Sequence, residues 1–244
     1  MDPSVFVRRN TAIAASPLVP EIRLHLATEV TPLWQATEET LARQELPPPF
    51  WAFAWAGGQA LARYLLDHPE IVAGHDLLDF GAGSGLVAIA AKKAGAARVT
   101  AAEIDPFGAA AIAANAEING VAIAIATEDL TGRDEGGGWE VITAGDICYE
   151  QPMAERALAW LRRRAGRGSL VLLGDPARTY VPRQGLRELA RYAVPTSREI
   201  EDREVRDAWV WRVLPEPAPA LPSSRPDQAP GAGARVAAIT RSGW

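Results

Sequence analysis

Asp79, Gly81, Gly83 and Gly85 are the residues of this chain whose spacing most clearly points to chemistry. They lie in Leu77-Leu78-Asp79-Phe80-Gly81-Ala82-Gly83-Ser84-Gly85-Leu86, which reads as a short apolar strand, an acid, and a loop with glycine at alternate positions. Val87 to Lys93 follows with helical composition. Glycine lets the backbone turn at positive φ and lets a ligand approach the main chain. The N-terminus of the following helix aims its unpaired N–H groups into the loop. The stretch is therefore expected to hold a nucleotide-type cofactor. Upstream, Phe50, Trp51, Phe53 and Trp55 crowd against Gly57-Gly58. These aromatics are either a hydrophobic staple under the N-terminal segment or a wall of the ligand pocket, and Trp55, nearest the glycines, is the choice for the wall.

The rest of the composition narrows the function classes. A chain of 244 residues with 48% hydrophobic residues supports one sizeable core. A net charge of -5 gives no broad electrostatic basis for binding nucleic acid or an anionic membrane surface. Cys148 is the only cysteine, so neither an internal disulfide nor a thiolate metal cage is possible, which suits a reducing compartment. His25, His68 and His75 have no second ligand at metal spacing, and no metal is expected. No apolar run approaches the ~20 residues of a membrane span, and no secretory signal is visible, so a cytoplasmic protein is expected, or one of the mitochondrial matrix if the source is eukaryotic.

These loops need elements to position them. Ile22, Leu24 and Leu26 alternate with polar residues as in a half-exposed strand or extended arm, and Thr31-Pro32 is expected to open a helix to about Gln44. After the prolines 47–49, a helix is expected to about Leu66. Beyond the glycine loop, strands are expected at 98–103, 121–126, 139–144 and 169–173, with helices at 106–118, 152–164 and 182–192. Segments 197–205 and 208–214 read as a closing strand pair. Strands alternating with helices imply a Rossmann-like α/β fold, a doubly wound and mostly parallel sheet whose ligands sit beyond the carboxyl ends of its strands. Residues 1–46 form an extension packing on the core, 47–214 the main domain, and 215–244 a Pro/Ala-rich tail read as disordered.

The glycines run G-x-G-x-G with Asp79 two places before the first, unlike the G-x-G-x-x-G of a dinucleotide site. In this the chain resembles class I, seven-strand S-adenosylmethionine-dependent methyltransferases. The resemblance sharpens to the electron-transfer-flavoprotein beta-subunit lysine methyltransferases through Pro20-Glu21-Ile22-x-Leu24-x-Leu26, the run from Trp51 to Asp67, Gly145-Asp146-x-x-Tyr149 and Gly174-Asp175-Pro176-x-Arg178. It implies S-adenosylmethionine as cofactor, with Asp79, Gly81, Gly83, Gly85 and Trp55 around it, Glu103 on the ribose hydroxyls, and Glu128 or Asp129 near the adenine edge. Asp105 competes with Glu103, but N-capping before Pro106 explains it. By the same resemblance, Asp146 is to hold and align an incoming lysine amine and Tyr149 to shape its channel. The alternatives are a helix cap for Asp146 and a core role for Tyr149. Asp175-Pro176-x-Arg178 is either a turn with a surface arginine or a substrate contact.

The implied partner is a protein substrate, the electron transfer flavoprotein beta subunit, with no nucleic acid or membrane partner, and the chain is expected to be a monomer. Three other readings stay open: methylation of a ribosomal protein or a small amine, a non-catalytic S-adenosylmethionine-binding module, and an NAD-dependent oxidoreductase.

Overall fold

The computed structural model describes residues 1–29, 31, 33, 47–132, 138–196 and 204–216. Apart from Thr31 and Leu33, the expected helix from Thr31 to Gln44 lies outside these residues, as do the tail beyond residue 216, the glycine tip at 136–137 and most of the segment 197–205.

A short helix α1 (Pro3–Asn10) opens the chain, capped by the Asp2 carboxylate, which accepts from the Ser4 and Val5 N–H groups. Strands β1 (Ala12–Ser16) and β2 (Val19–Leu26) then pair as an antiparallel hairpin. The alternating segment around Ile22 is thus one arm of a hairpin; its partner β1 and the helix α1 were not anticipated from their short, weakly patterned sequences. After the 3₁₀ turn Phe50–Ala52 come α2 (Ala56–Asp67), β3 (Asp76–Phe80), α3 (Leu86–Lys93), β4 (Arg98–Ala102), α4 (Pro106–Ile118) and β5 (Ala124–Ala126). The second half adds β6 (Val141–Gly145), α5 (Gln151–Gly166), β7 (Leu170–Asp175), β8 (Leu186–Pro195) and β9 (Val205–Val213).

The main sheet has seven strands in the order β5-β4-β3-β6-β7-β9-β8. Pairs from β5 through β7 are parallel, and β9 runs antiparallel to both β7 and β8. Both faces are covered, because successive side chains of a strand point to opposite sides. Leu77 packs with α2 and α3, whereas its neighbour Leu78 packs with α5 on the other face. Strand order reverses between β3 and β6, the point at which a doubly wound sheet opens a crevice beyond its carboxyl ends.

One expected helix is a strand. Residues 182–192 space their apolar side chains as a helix would, at Leu186, Leu189 and Ala190, but β8 here pairs antiparallel with β9 over almost its whole length. A register shift between Glu188 and Ala190 interrupts the period of two, which is why the pattern imitates a helical one. Among the described residues the closing strand pair is β8 with β9, and Val205, at the end of the segment 197–205, is the first residue of β9. The strand expected at 121–126 is shorter, spanning Ala124–Ala126.

Candidate functional site

A cavity of about 420 Å³ opens over the reversal point, within the range of small-molecule sites. Its floor is the carboxyl ends of β3, β4 and β6, and its walls include Trp55, Gly81, Gly83, Glu103, Tyr149 and Arg178. Gly81 and Gly83 have φ of 65° and 52°, a left-handed backbone that a side chain would strain. A Cβ on Gly83 would meet no atom closer than 3.9 Å, so here glycine serves the turn and leaves the wall open.

Glu103 stands at the end of β4 and carries the geometry of the loop. Its Oε2 accepts from the Gly83 N–H at 2.8 Å and its Oε1 from the Asp105 N–H at 2.9 Å. Burial raises its pKa, and the N–H groups of Asp105 and Gly83 work against that shift. Each carboxylate oxygen has a second acceptor position, so the group can take two further hydroxyl donors side by side. Asp105 lines the cavity but caps α4, accepting from the Phe107 N–H at 2.9 Å.

Asp79 is placed differently from the expectation at the cofactor. It is 1% exposed and does not line the cavity; it accepts from Thr143 Oγ1 at 2.9 Å and from the Ala88 N–H at 3.1 Å. Burial pushes its pKa up to about 7, against these two hydrogen bonds. Its position ties β3 to β6 and to the first turn of α3 beneath the loop. Gly85 likewise lies outside the cavity lining: with φ 78° it starts α3, and a Cβ there would press Ile112 at 3.2 Å. Glu128 and Asp129 do line the cavity, on the exposed loop after β5, where Asp129 accepts from the Thr131 N–H and hydroxyl.

At the other end, Asp146 follows β6 in a left-handed conformation, φ 56°, unusual outside glycine. This turns its carboxylate toward the N-terminus of α2, where Oδ1 accepts from the Gly57 N–H at 3.1 Å and Oδ2 from the Gly58 N–H at 2.6 Å. Arg178 Nη1 forms an ion pair with Oδ1 and lies 3.4 Å from Oδ2 of Asp175. Asp175 is fully buried, and burial together with the charge of Asp146 pushes its pKa up to about 7. The aromatics frame this end. Tyr149 and Phe50, each 47% exposed, face one another with ring centroids 5.3 Å apart, and the Arg178 guanidinium lies 5.8 Å from the Trp55 ring centre. Trp55 itself donates from Nε1 to the Phe50 carbonyl at 2.8 Å.

Sequence reasoning left Phe50, Trp51, Ile104, Met153 and Arg156 out of the site, though all line the cavity. The aromatic cluster pointed to the first two; nothing in the local sequence of the others marked them. Arg178 had a signal in Asp-Pro-x-Arg, since Asp175 Oδ1 accepts from the Arg178 N–H at 2.7 Å and closes the turn that delivers the guanidinium.

These residues fit S-adenosylmethionine. A carboxylate with two open acceptor positions suits a ribose diol, apolar Ile104 and Leu130 suit a flat base, and acids outnumber arginines around the cavity, as a cationic ligand requires. Comparison with known proteins agrees. Residues 60–144 match the family model for ribosomal protein L11 methyltransferase (PrmA). The chain is 38% identical over 219 residues to the electron transfer flavoprotein beta subunit lysine methyltransferase of Xenopus laevis, covering 87% of each chain. The Danio rerio protein of that name is 39% identical, over 85% of this chain and 81% of its own, and the Homo sapiens protein 33%, over 88% and 84%. With this similarity running nearly end to end, the chain belongs to the electron transfer flavoprotein beta subunit lysine methyltransferase family, within the class I S-adenosylmethionine-dependent methyltransferases.

Proposed function

We propose that this enzyme transfers methyl groups from S-adenosylmethionine to lysine side chains of the electron transfer flavoprotein beta subunit. The observation that carries the reading is a single cavity with a diol-accepting carboxylate, Glu103, at one end and the carboxylate and aromatic group Asp146, Tyr149, Phe50 and Trp55 at the other. One end suits the cofactor's sugar; the other suits a long aliphatic side chain ending in an amine.

When bound, S-adenosylmethionine supplies an electrophilic methyl group on a cationic sulfur. Glu103 would hold its ribose, the main chain at Gly81 and Gly83 would border it, Ile104 and Leu130 would flank its base, and Glu128 and Asp129 would lie at the base's edge. The amine of a free lysine, with pKa near ~10.4, is mostly protonated and lacks the lone pair needed for attack. Tyr149, Phe50 and Trp55 strip water from the lysine stem, which favours the neutral amine. Asp146 accepts a hydrogen bond from that amine and aims its lone pair. The proton leaves to water, and the rate gain comes mainly from alignment.

The test is incubation of the purified flavoprotein beta subunit with the enzyme and isotopically labelled S-adenosylmethionine, read by mass spectrometry. Label on lysines of that subunit is expected. The match of residues 60–144 to the L11 methyltransferase family favours a second reading, a ribosomal protein substrate, so label confined to ribosomal protein in a cell extract would replace the first reading with this one.

A further inference from the structure

The acceptor end of the cavity holds a carboxylate whose charge is already compensated. Asp146 receives two N–H groups from the first turn of α2 and the guanidinium of Arg178. Arg178 is itself held in place: its backbone N–H donates to Asp175, the preceding Ala177 adopts φ 62°, and its guanidinium lies against the Trp55 ring. Left-handed backbone at two non-glycine residues, Asp146 and Ala177, is spent on bringing these two side chains together.

A bare carboxylate beside the substrate would hamper the reaction it aligns. An anion next to a lysine favours the ammonium, the unreactive form, and a cation nearby disfavours it. We propose that Arg178 is a positioning residue that keeps Asp146 in a neutral pair, so that Asp146 can align the substrate amine without trapping it as ammonium. This rests on the lysine methyltransferase reading above and assigns that site a device for deprotonating its substrate.

Other ionisable groups surround the pair. Asp175 comes from the end of β7, Cys148 and Tyr149 from the loop after β6, Glu103 from the end of β4 and Arg156 from α5, while the first turn of α2 brings no acidic side chain. Cys148 is buried and its thiol is pushed up to about 12, so it stays neutral. Asp175 is the group able to take up a proton if the guanidinium were removed, and the test must silence it.

The experiment measures kcat against pH for the full chain acting on the purified flavoprotein beta subunit. It compares wild type, Asp175→Asn, and Asp175→Asn combined with Arg178→Gln or with Arg178→Lys. With Gln, the acidic limb of kcat is expected about one pH unit above that of Asp175→Asn alone, roughly tenfold slower at a fixed pH on the limb, with KM for the protein not raised. With Lys, which keeps the charge, the limb is expected to stay with Asp175→Asn. Coincident limbs for the Gln variant and its parent would overturn the proposal, and so would a raised limb in the Lys variant. Melting curves and S-adenosylmethionine calorimetry check each protein; should the Gln variant not fold, Arg178→Met in the same Asp175→Asn background, which also removes the charge, takes its place under the same criterion. Wild type without activity on the beta subunit would overturn the functional reading and this one with it, whereas active wild type with unmoved limbs overturns the role of Arg178 alone.

Discussion

Gly57 and Gly174 pack backbone against backbone: a Cβ on Gly57 would lie 2.3 Å from the Gly174 carbonyl oxygen, and one on Gly174 would lie 2.3 Å from that of Gly57. The contact seats the N-terminus of α2 on the end of β7, which brings the N–H groups of Gly57 and Gly58 to Asp146. Gly57→Ala should therefore destabilise the fold by about 1–3 kcal/mol through overpacking and lower kcat by displacing Asp146. Gly58→Ala, whose Cβ would meet Asp146 Oδ2 at 3.7 Å, should change stability by no more than about 0.5 kcal/mol. Urea denaturation of both variants checks the contrast; equal losses would show that the close backbone contact is not what demands glycine.

Glu103 acts on the glycine loop and, in the proposed function, on the cofactor. Its replacement by Gln keeps the shape but loses one acceptor oxygen and the charge behind the other. A charge-assisted hydrogen bond is worth about 1.5–3 kcal/mol, so cofactor affinity should fall by roughly 10- to 150-fold. Calorimetry with S-adenosylmethionine reads this directly. An unchanged Kd would remove Glu103 from the binding residues.

The same carboxylate is sensitive to its neighbour Gly108, where a Cβ would come within 2.7 Å of Glu103 Cγ. Gly108→Ala improves helix propensity in α4 by up to about 1 kcal/mol, yet should weaken cofactor binding by pushing Glu103 aside. Higher stability with unaltered affinity would contradict this.

Asp79 makes stability depend on pH. Its folded pKa is raised to about 7 while the unfolded chain titrates near ~3.9, so the folded form binds the proton more tightly. Its contribution is fully present below pH ~4 and is lost as pH rises through about 7. Asp79→Asn removes the titrating group while its Oδ1 can still accept from the Ala88 N–H and its Nδ2 can donate to the Thr143 hydroxyl, so its stability relative to wild type should rise steadily across that window. Melting temperatures at pH 4, 5.5 and 7.5 test the sign; a gap independent of pH would mean that Asp79 does not titrate in the fold.

The sheet and its cofactor loop were legible because their signals are local. A strand, a loop with glycine at alternate positions and a helix require only neighbouring residues, and the apolar runs Leu77-Leu78, Val141-Ile142 and Val171-Leu172 mark strands buried on both faces. The presence of acids after β4 and β6 was readable for the same reason. Helix α1 and strand β1 were not, since their ordering depends on docking: Arg8 pairs with Glu117 of α4, and β1 forms only against β2. The strand β8 was hidden by helical spacing that only its partner β9 and the register shift near Leu189 explain.

What each acid does was decided by tertiary structure. Residue order alone specifies a glycine-rich cofactor loop with an acid before it, and a second acid twenty-four residues further on at the end of the next strand. It could not say that Asp79 turns inward beneath the loop while Glu103 turns toward the cavity, because both lie at strand ends and differ only in what packs above them. Nor could it say that Asp146 meets Arg178, a residue 32 positions away. That meeting requires β6 and β7 to lie side by side, α2 to reach the end of β7 through the Gly57–Gly174 contact, and two non-glycine residues to accept left-handed backbone. Sequence spacing specifies which groups are available, but their charges interact over distances of a few ångströms that only the folded chain sets.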